Sequence, residues 1–191
     1  MKVRAHVGRS QPPPDVEICV LAGGLGTRMG RDKSRLRLGP RTFVGHLRHL
    51  ARSARLPMRV IRRDLVSRSG PLGGIFTGLK TTHAETVLFL ACDMPLLTEK
   101  FLRKLIRKFP AQMEGLAVSQ QDRIGFPILI RRSALPFVAR QLQNKDRSIH
   151  SLFQHLRMIV FAARPSDKPA LLNINTPENL KKARALIRTR A

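Results

Sequence analysis

Glycines and cations alternate between positions 23 and 33. Gly23, Gly24, Gly26 and Gly30 are interleaved with Arg28, Arg31 and Lys33. Glycine lets a backbone turn sharply and come close to a guest, because no Cβ stands in the way. Main-chain N–H groups exposed in such a loop, with cationic side chains beside them, suit an anionic guest such as a polyphosphate. A second glycine cluster, Gly70-Pro71-Leu72-Gly73-Gly74, lies shortly after Asp64. It reads as a tight turn feeding a short helix whose backbone approaches something closely. Asp93 directly follows an apolar run, and ligands of open α/β sheets bind at the carboxyl ends of such strands. Together these residues suit phosphate chemistry with a carboxylate at hand.

Letter-by-letter tests remove two common phosphate motifs. A P-loop needs Gly-Lys-Ser/Thr after its spacer, whereas Gly30 is followed by Arg31 and Asp32. A dinucleotide fingerprint beginning at Gly24 needs glycine where Met29 stands. No Ser-His-Asp arrangement has a recognisable context. His46 and His49 lie three apart on a predicted helix without a third ligand nearby. Cys19 and Cys92 sit in apolar runs with no metal or redox spacing, and read as buried reduced thiols.

The elements that must position this chemistry alternate along the chain. Val16 to Ala22 is a short apolar, β-branched run that predicts a buried strand. Phe43, Val44, Leu47, Leu50 and Ala51 recur at helical spacing, and Met58 to Ile61 is the next strand candidate. Thr86 to Cys92 is almost continuously apolar, as in a parallel strand buried on both faces. Thr98 caps a helix over Glu99 to Phe109, and Gly115 to Ser119 is a further strand. Arg123 to Ile130 is another, with Pro127 placing it at an edge or bulge. Helices follow from Ser133 to Leu142 and from Ser148 to Leu156, then a strand over Met158 to Ala162. Thr176, Pro177 and Glu178 open the last helix as N-cap, first helical residue and first-turn acid. The pattern predicts a three-layer α/β/α domain with a mostly parallel, Rossmann-like sheet over residues 16–191, preceded by a flexible basic, proline-rich tail over 1–15.

The 191 residues carry 36 basic and 12 acidic side chains, a net charge of +24 that attracts polyanions. The cations are spread along the whole chain, and without Trp or Tyr there is little to stack on bases, which points away from a nucleic-acid partner. No run has the length of a membrane span, and the N-terminus lacks the apolar centre of a signal peptide, so the expected location is the cytoplasm. A monomer is expected.

Leu21-Ala22-Gly23-Gly24, Arg28-Met29-Gly30 and Asp32-Lys33 resemble the signature of nucleotidyltransferases, specifically the molybdenum cofactor guanylyltransferases of the MobA type. Asp64 ahead of Gly70-Pro71-Leu72-Gly73-Gly74, Asp93-Met94-Pro95, and Asn173 to Glu178 extend the resemblance in order to the C-terminus. It implies transfer of GMP from GTP to the phosphate of molybdopterin, with release of pyrophosphate. It also implies Arg28, Lys33 and Asp93 as catalytic residues, with Asp93 holding Mg²⁺. Leu21, Ala22, Gly23, Gly24, Lys33, Asp64 and Asp93 would bind nucleotide, and Asn173 and Asn175 the acceptor. Molybdoenzyme-maturation proteins are the implied onward partners. A molybdopterin cytidylyltransferase, a sugar-phosphate nucleotidyltransferase and a non-catalytic basic nucleic-acid binder are the competing readings. The stretch from Arg55 to Asp64 is shorter than the family's strand and turn there, lacks the asparagine that contacts guanine, and implies a gap in the sheet.

Overall fold

A computed structural model describes residues 15–23, 36–121 and 123–188. In chain order the elements begin with β1 (Val16–Leu21), a two-residue pair β2 (Arg37–Leu38) and β3 (Arg41–Thr42), α1 (Phe43–Ala54) and β4 (Met58–Ile61). Then come α2 (Gly70–Thr81), β5 (Thr86–Ala91), α3 (Glu99–Arg107), β6 (Gly115–Gln120) and β7 (Arg123–Arg131). The chain ends with α4 (Leu135–Gln143), α5 (Ile149–His155), β8 (Met158–Ala162) and α6 (Pro177–Arg188).

The main sheet has the order β4-β1-β5-β7-β6-β8, and β7 alone runs against its neighbours. The expected gap is absent. β4 pairs with β1 from Ile18 opposite Met58 to Leu21 opposite Ile61, so the strand retained within the shortened stretch fills the place beside β1. β7 is central rather than at an edge. Its proline is accommodated by a register shift, in which Ala117 faces Ile128 while Val118 faces Gly125, leaving Phe126 and Pro127 out of the ladder. Proline has no N–H to give a ladder, so the bulge half of that expectation holds.

Strand alternation divides the core. Ile18, Val20, Leu88 and Leu90 pack with Leu47, Leu50 and Ala51 of α1 and Phe101, Leu102 and Leu105 of α3. Cys19, Val87 and Phe89 pack on the other face with Leu72, Ile75 and Leu79 of α2, Val138 of α4 and Leu152 of α5. Successive strand residues point to opposite faces, so a continuous apolar run must be covered on both. Cys19 and Cys92 form no disulfide; burial pushes the Cys19 thiol up to about 12, which keeps it protonated and unreactive, and Cys92 is half-buried. Helix starts follow their caps: the Thr42, Thr98, Ser148 and Thr176 hydroxyls accept from the N–H of Gly45, Phe101, Ser151 and Asn179.

One residue contradicts the apolar reading of β1. Glu17 is buried, accepts from Nε of Arg59 on the neighbouring strand and from Thr82 Oγ1 at 2.6 Å. Arg59 also donates to the carbonyls of Gly78 and Thr81, which end α2. The pair thus ties two strands to the last turn of a helix, and its cation sits where a helix C-terminus favours one. No described helix is long and apolar enough to cross a membrane.

Candidate active site

Parallel strands deliver their carboxyl ends to one edge, and three backbone hydrogen bonds stitch that edge together. Ala22 N–H donates to Ile61 O at 2.8 Å, and Cys92 N–H to Leu21 O at 3.2 Å. Ile174 N–H then donates to Asp93 O at 2.9 Å. The segments that leave β4, β1 and β5 therefore lie side by side, with the stretch before α6 joined to the last. Adjacent strands are about 4.8 Å apart, so the ends of β4 and β5 flank β1 across roughly 10 Å, a span suited to a nucleotide rather than a single ion.

Asp64 stands on the β4 side. The chain turns out of Ile61 and is held by Thr77, whose hydroxyl accepts from Leu65 N–H at 2.9 Å while donating to Gly73 O at 2.8 Å. Thr77 thereby latches the Asp64 loop onto α2. Nothing in the sequence marks it, because a threonine in an apolar helix face carries no motif. The glycine cluster is the first turn of α2, not a turn ahead of it. The reason is steric: a Cβ on Gly74 would lie 2.9 Å from Leu21 Cδ2, and one on Gly73 3.2 Å from Asp64 Oδ2. Side chains there would push α2 off the strand end, so the helix tolerates glycines that it would otherwise exclude. Gly23 meets the same loop from the other side, where its Cβ would be 3.0 Å from Arg62 O and 3.8 Å from Asp64 Oδ1.

Asp93 is half-buried at the end of β5, just before the buried Met94 to Leu97. Ile174 anchors the Asn173 to Glu178 stretch by two routes: its N–H bond to Asp93 O, and a fully buried side chain packed with Leu38, Phe43, Leu96 and Ala183. Asn173 and Asn175 flank it and are exposed. Asn173 O accepts from Asn179 Nδ2 at 3.0 Å, which fixes the motif to the start of α6. Leu21, Ala22, Gly23, Asp64, Asp93, Asn173 and Asn175 are thus gathered on one edge, whereas Gly24, Arg28 and Lys33 fall outside the described residues. A groove of about 360 Å³ between α1, the start of α3 and Ile187 includes none of these residues, and His46 there contacts Leu38 O through Nε2 at 2.7 Å.

A family model, the MobA-like NTP transferase domain, matches residues 18–64 and 48–159. The chain belongs to this family. The molybdenum cofactor guanylyltransferase of Shewanella halifaxensis is 29% identical over 183 residues, covering 85% of this chain and 90% of that protein. Among solved structures, the molybdopterin-guanine dinucleotide biosynthesis protein A of Archaeoglobus fulgidus superposes with a TM-score of 0.70 at 21% identity, covering 91% of this chain and 99% of that one. Rv0371c of Mycobacterium tuberculosis, solved in complex with manganese, superposes at 0.58 and 18% identity over 90% of this chain and 98% of its own.

In this NTP transferase domain, burial holds the Asp64 carboxyl above its ordinary range by desolvation. The sign of the consequence follows. A carboxyl that binds protons more tightly when folded costs stability as pH rises through the window above its unfolded value, and the cost persists at neutral pH. Asp64→Asn is expected to raise the thermal midpoint of the ligand-free protein at pH 7. The gain should vanish below about pH 4, where the unfolded carboxyl is protonated as well. Melting curves of both proteins from pH 3 to pH 8 check this; a midpoint at pH 7 equal to or below the parent's contradicts it.

Proposed function

We propose that the protein transfers GMP from GTP to the phosphate of molybdopterin, releasing pyrophosphate and forming the guanine dinucleotide. The observation that carries the proposal is the Ile174 N–H to Asp93 O bond, which sets an exposed asparagine motif beside the carboxylate that ends a central strand. That juxtaposition suits a site for two substrates, nucleotide along the ends of β4, β1 and β5 and acceptor along Asn173 to Asn175. The names of the curated relatives support the choice of GTP and molybdopterin.

The chain's own residues have separable roles in this reaction. Gly23 and Gly24, with Leu21 and Ala22, let the nucleotide lie against main chain, and Asp64 accepts hydrogen bonds from it. Arg28 and Lys33 offset the negative charge that grows on the departing pyrophosphate during in-line displacement. The attacking oxygen belongs to the acceptor phosphate, so no protein nucleophile is required, and Asn173 and Asn175 orient that acceptor. Among the described residues no three His, Cys, Asp or Glu side chains converge on a cation site. A single half-buried carboxylate at the end of β5 fits Mg²⁺, which takes one or two carboxylates and completes its shell with phosphate oxygens and water. Asp93 would hold it, and when bound it neutralises charge on the phosphate oxygens. On this reading the unit over residues 16–191 works in the cytoplasm as a monomer and passes its product to molybdoenzyme-maturation proteins.

Calorimetric titration with GTP, CTP and ATP, with and without Mg²⁺, tests the nucleotide half. Binding of GTP at least tenfold tighter than of either competitor, and dependent on Mg²⁺, is expected. Choice between bases rests on hydrogen bonds worth about 1–3 kcal/mol each when left unmade, enough for that margin. Indifference among the three nucleotides would sink the proposal, and preference for CTP would replace it with cytidylyl transfer.

A further inference from the structure

The fold gathers cations that are scattered in the sequence. α1 and α3 lie side by side on one face of the sheet, sharing the cluster of Leu47, Leu50, Ala51, Phe101, Leu102 and Leu105, and Arg103 Nη2 donates to Ala54 O across the seam. Their outward faces carry Arg48, Arg52 and Arg55 on one helix and Lys100, Arg103 and Arg107 on the other, all exposed. Glu99 is the sole acidic residue of the two helices and is already paired with Arg103 at 2.7 Å. Helix C-termini favour cations, which accounts for Arg52, Arg55 and Arg107 singly. It does not account for Arg48 and Lys100, or for the absence of balancing acids.

We propose that this two-helix face binds the backbone of duplex nucleic acid, independently of the nucleotidyl-transfer edge. Residues three and four apart on a helix advance about 4.5–6 Å, and packed helix axes lie about 8–10 Å apart. Arg48, Arg52 and Arg55 thus form a stripe of cations along α1 and its C-cap, and Lys100, Arg103 and Arg107 a second along α3, each about 10 Å long and on the same layer of the molecule. Most members are arginines, whose fork matches phosphate oxygens. A single strand would instead want aromatic platforms for its bases. Here Phe43 and Phe101, the aromatic residues of these helices, are buried. A membrane surface would want apolar anchors, and the large exposed apolar side chains among the described residues are Leu65, Ile124 and Val160, all elsewhere. The even spread of charge along the sequence does not weigh against this, because the helical period and the packing of α1 beside α3 bring these six cations onto one layer.

Fluorescence anisotropy of the full chain with a 20-base-pair DNA duplex, from 50 to 200 mM salt, tests the proposal. About six phosphate contacts give a log–log salt slope near −5. The variant R48Q/R52Q/K100Q/R107Q should lose at least tenfold in affinity and flatten that slope by about 3 to 4. Removal of the same number of exposed cations from the opposite layer, R132Q/R140Q/K145Q/R147Q, should change affinity by less than threefold. Unchanged circular dichroism and thermal midpoints establish that both variants fold. Equal losses in the two variants overturn the proposal, as does tighter or equal binding of a single-stranded 20-mer or of anionic vesicles. GTP titrations of the two variants should match the parent whichever way the duplex result falls.

Discussion

Asp93→Ala is expected to slow GMP transfer by about a thousandfold while leaving the fold in place. The carboxylate ends β5 at the edge where the three strand ends are stitched together, and the main-chain bond between Ile174 N–H and Asp93 O does not depend on its side chain. On the proposed reading the substitution removes the carboxylate that would hold the cation, without releasing the Asn173 to Asn175 stretch. A divalent cation supplies several kcal/mol of charge stabilisation in phosphoryl and nucleotidyl transfer, and each 1.36 kcal/mol is tenfold in rate. Losing about 4 kcal/mol gives the thousandfold figure. Asp93→Asn should fall by nearly as much, since an amide binds Mg²⁺ far more weakly than a carboxylate. Pyrophosphate release under saturating GTP and Mg²⁺ measures both. A rate within tenfold of the parent for Asp93→Ala would mean that the cation is held elsewhere.

The second large effect is on stability, and it arises from the one charged residue inside β1. Removing Arg59 leaves the Glu17 carboxylate buried with the Thr82 hydroxyl still donating to it, and strips the donors that end α2 at Gly78 and Thr81. Breaking one side of a buried pair typically costs about 3–5 kcal/mol, because the surviving charge is desolvated without compensation. Arg59 is partly exposed, with 33% of its side chain in solvent, so the lower end of that range applies. For a chain of this size about 3 kcal/mol lowers the melting midpoint by roughly 6–12 °C. Arg59→Met combined with Glu17→Leu should recover at least half of the loss, since neither charge then remains buried. A cost below about 1 kcal/mol for Arg59→Ala, or full additivity in the double variant, would show that the pair is not coupled.

What was legible in the sequence depended on whether the signal was local. β1 and β5 announce themselves because a strand covered on both faces must be apolar at successive positions, and Asp93 stands out because it interrupts such a run. Thr98 and Thr176 are equally plain, since a helix start needs an oxygen acceptor at one fixed place. What the sequence left open or hid concerns choices made by distant partners. Whether β7 lies at an edge or in the middle is decided by β5 and β6, and the proline only fixed that some ladder bond would be missing. The glycines at 73 and 74 read as a turn because their reason, contact with Leu21 and Asp64, is tertiary. Glu17 was hidden inside an apolar run because its partner arrives 42 positions later. The short β2–β3 pair had no pattern long enough to detect. The same logic explains the sheet beside β1: a shortened stretch suggests a missing strand, but the strand that remains within it, β4, pairs with β1 along its whole length.

Transfer of the α-phosphorus label is the most direct measurement of the central claim. The protein is incubated with GTP labelled at the α-phosphorus, Mg²⁺ and molybdopterin, and the label is followed by chromatography alongside released pyrophosphate. Appearance of the label in a molybdopterin dinucleotide, matched one for one by pyrophosphate and at least tenfold faster than with labelled CTP, is the expected result. Label that stays in GTP, or moves faster from CTP, would contradict guanylyl transfer at the edge formed by Gly23, Asp64, Asp93 and Asn173 to Asn175.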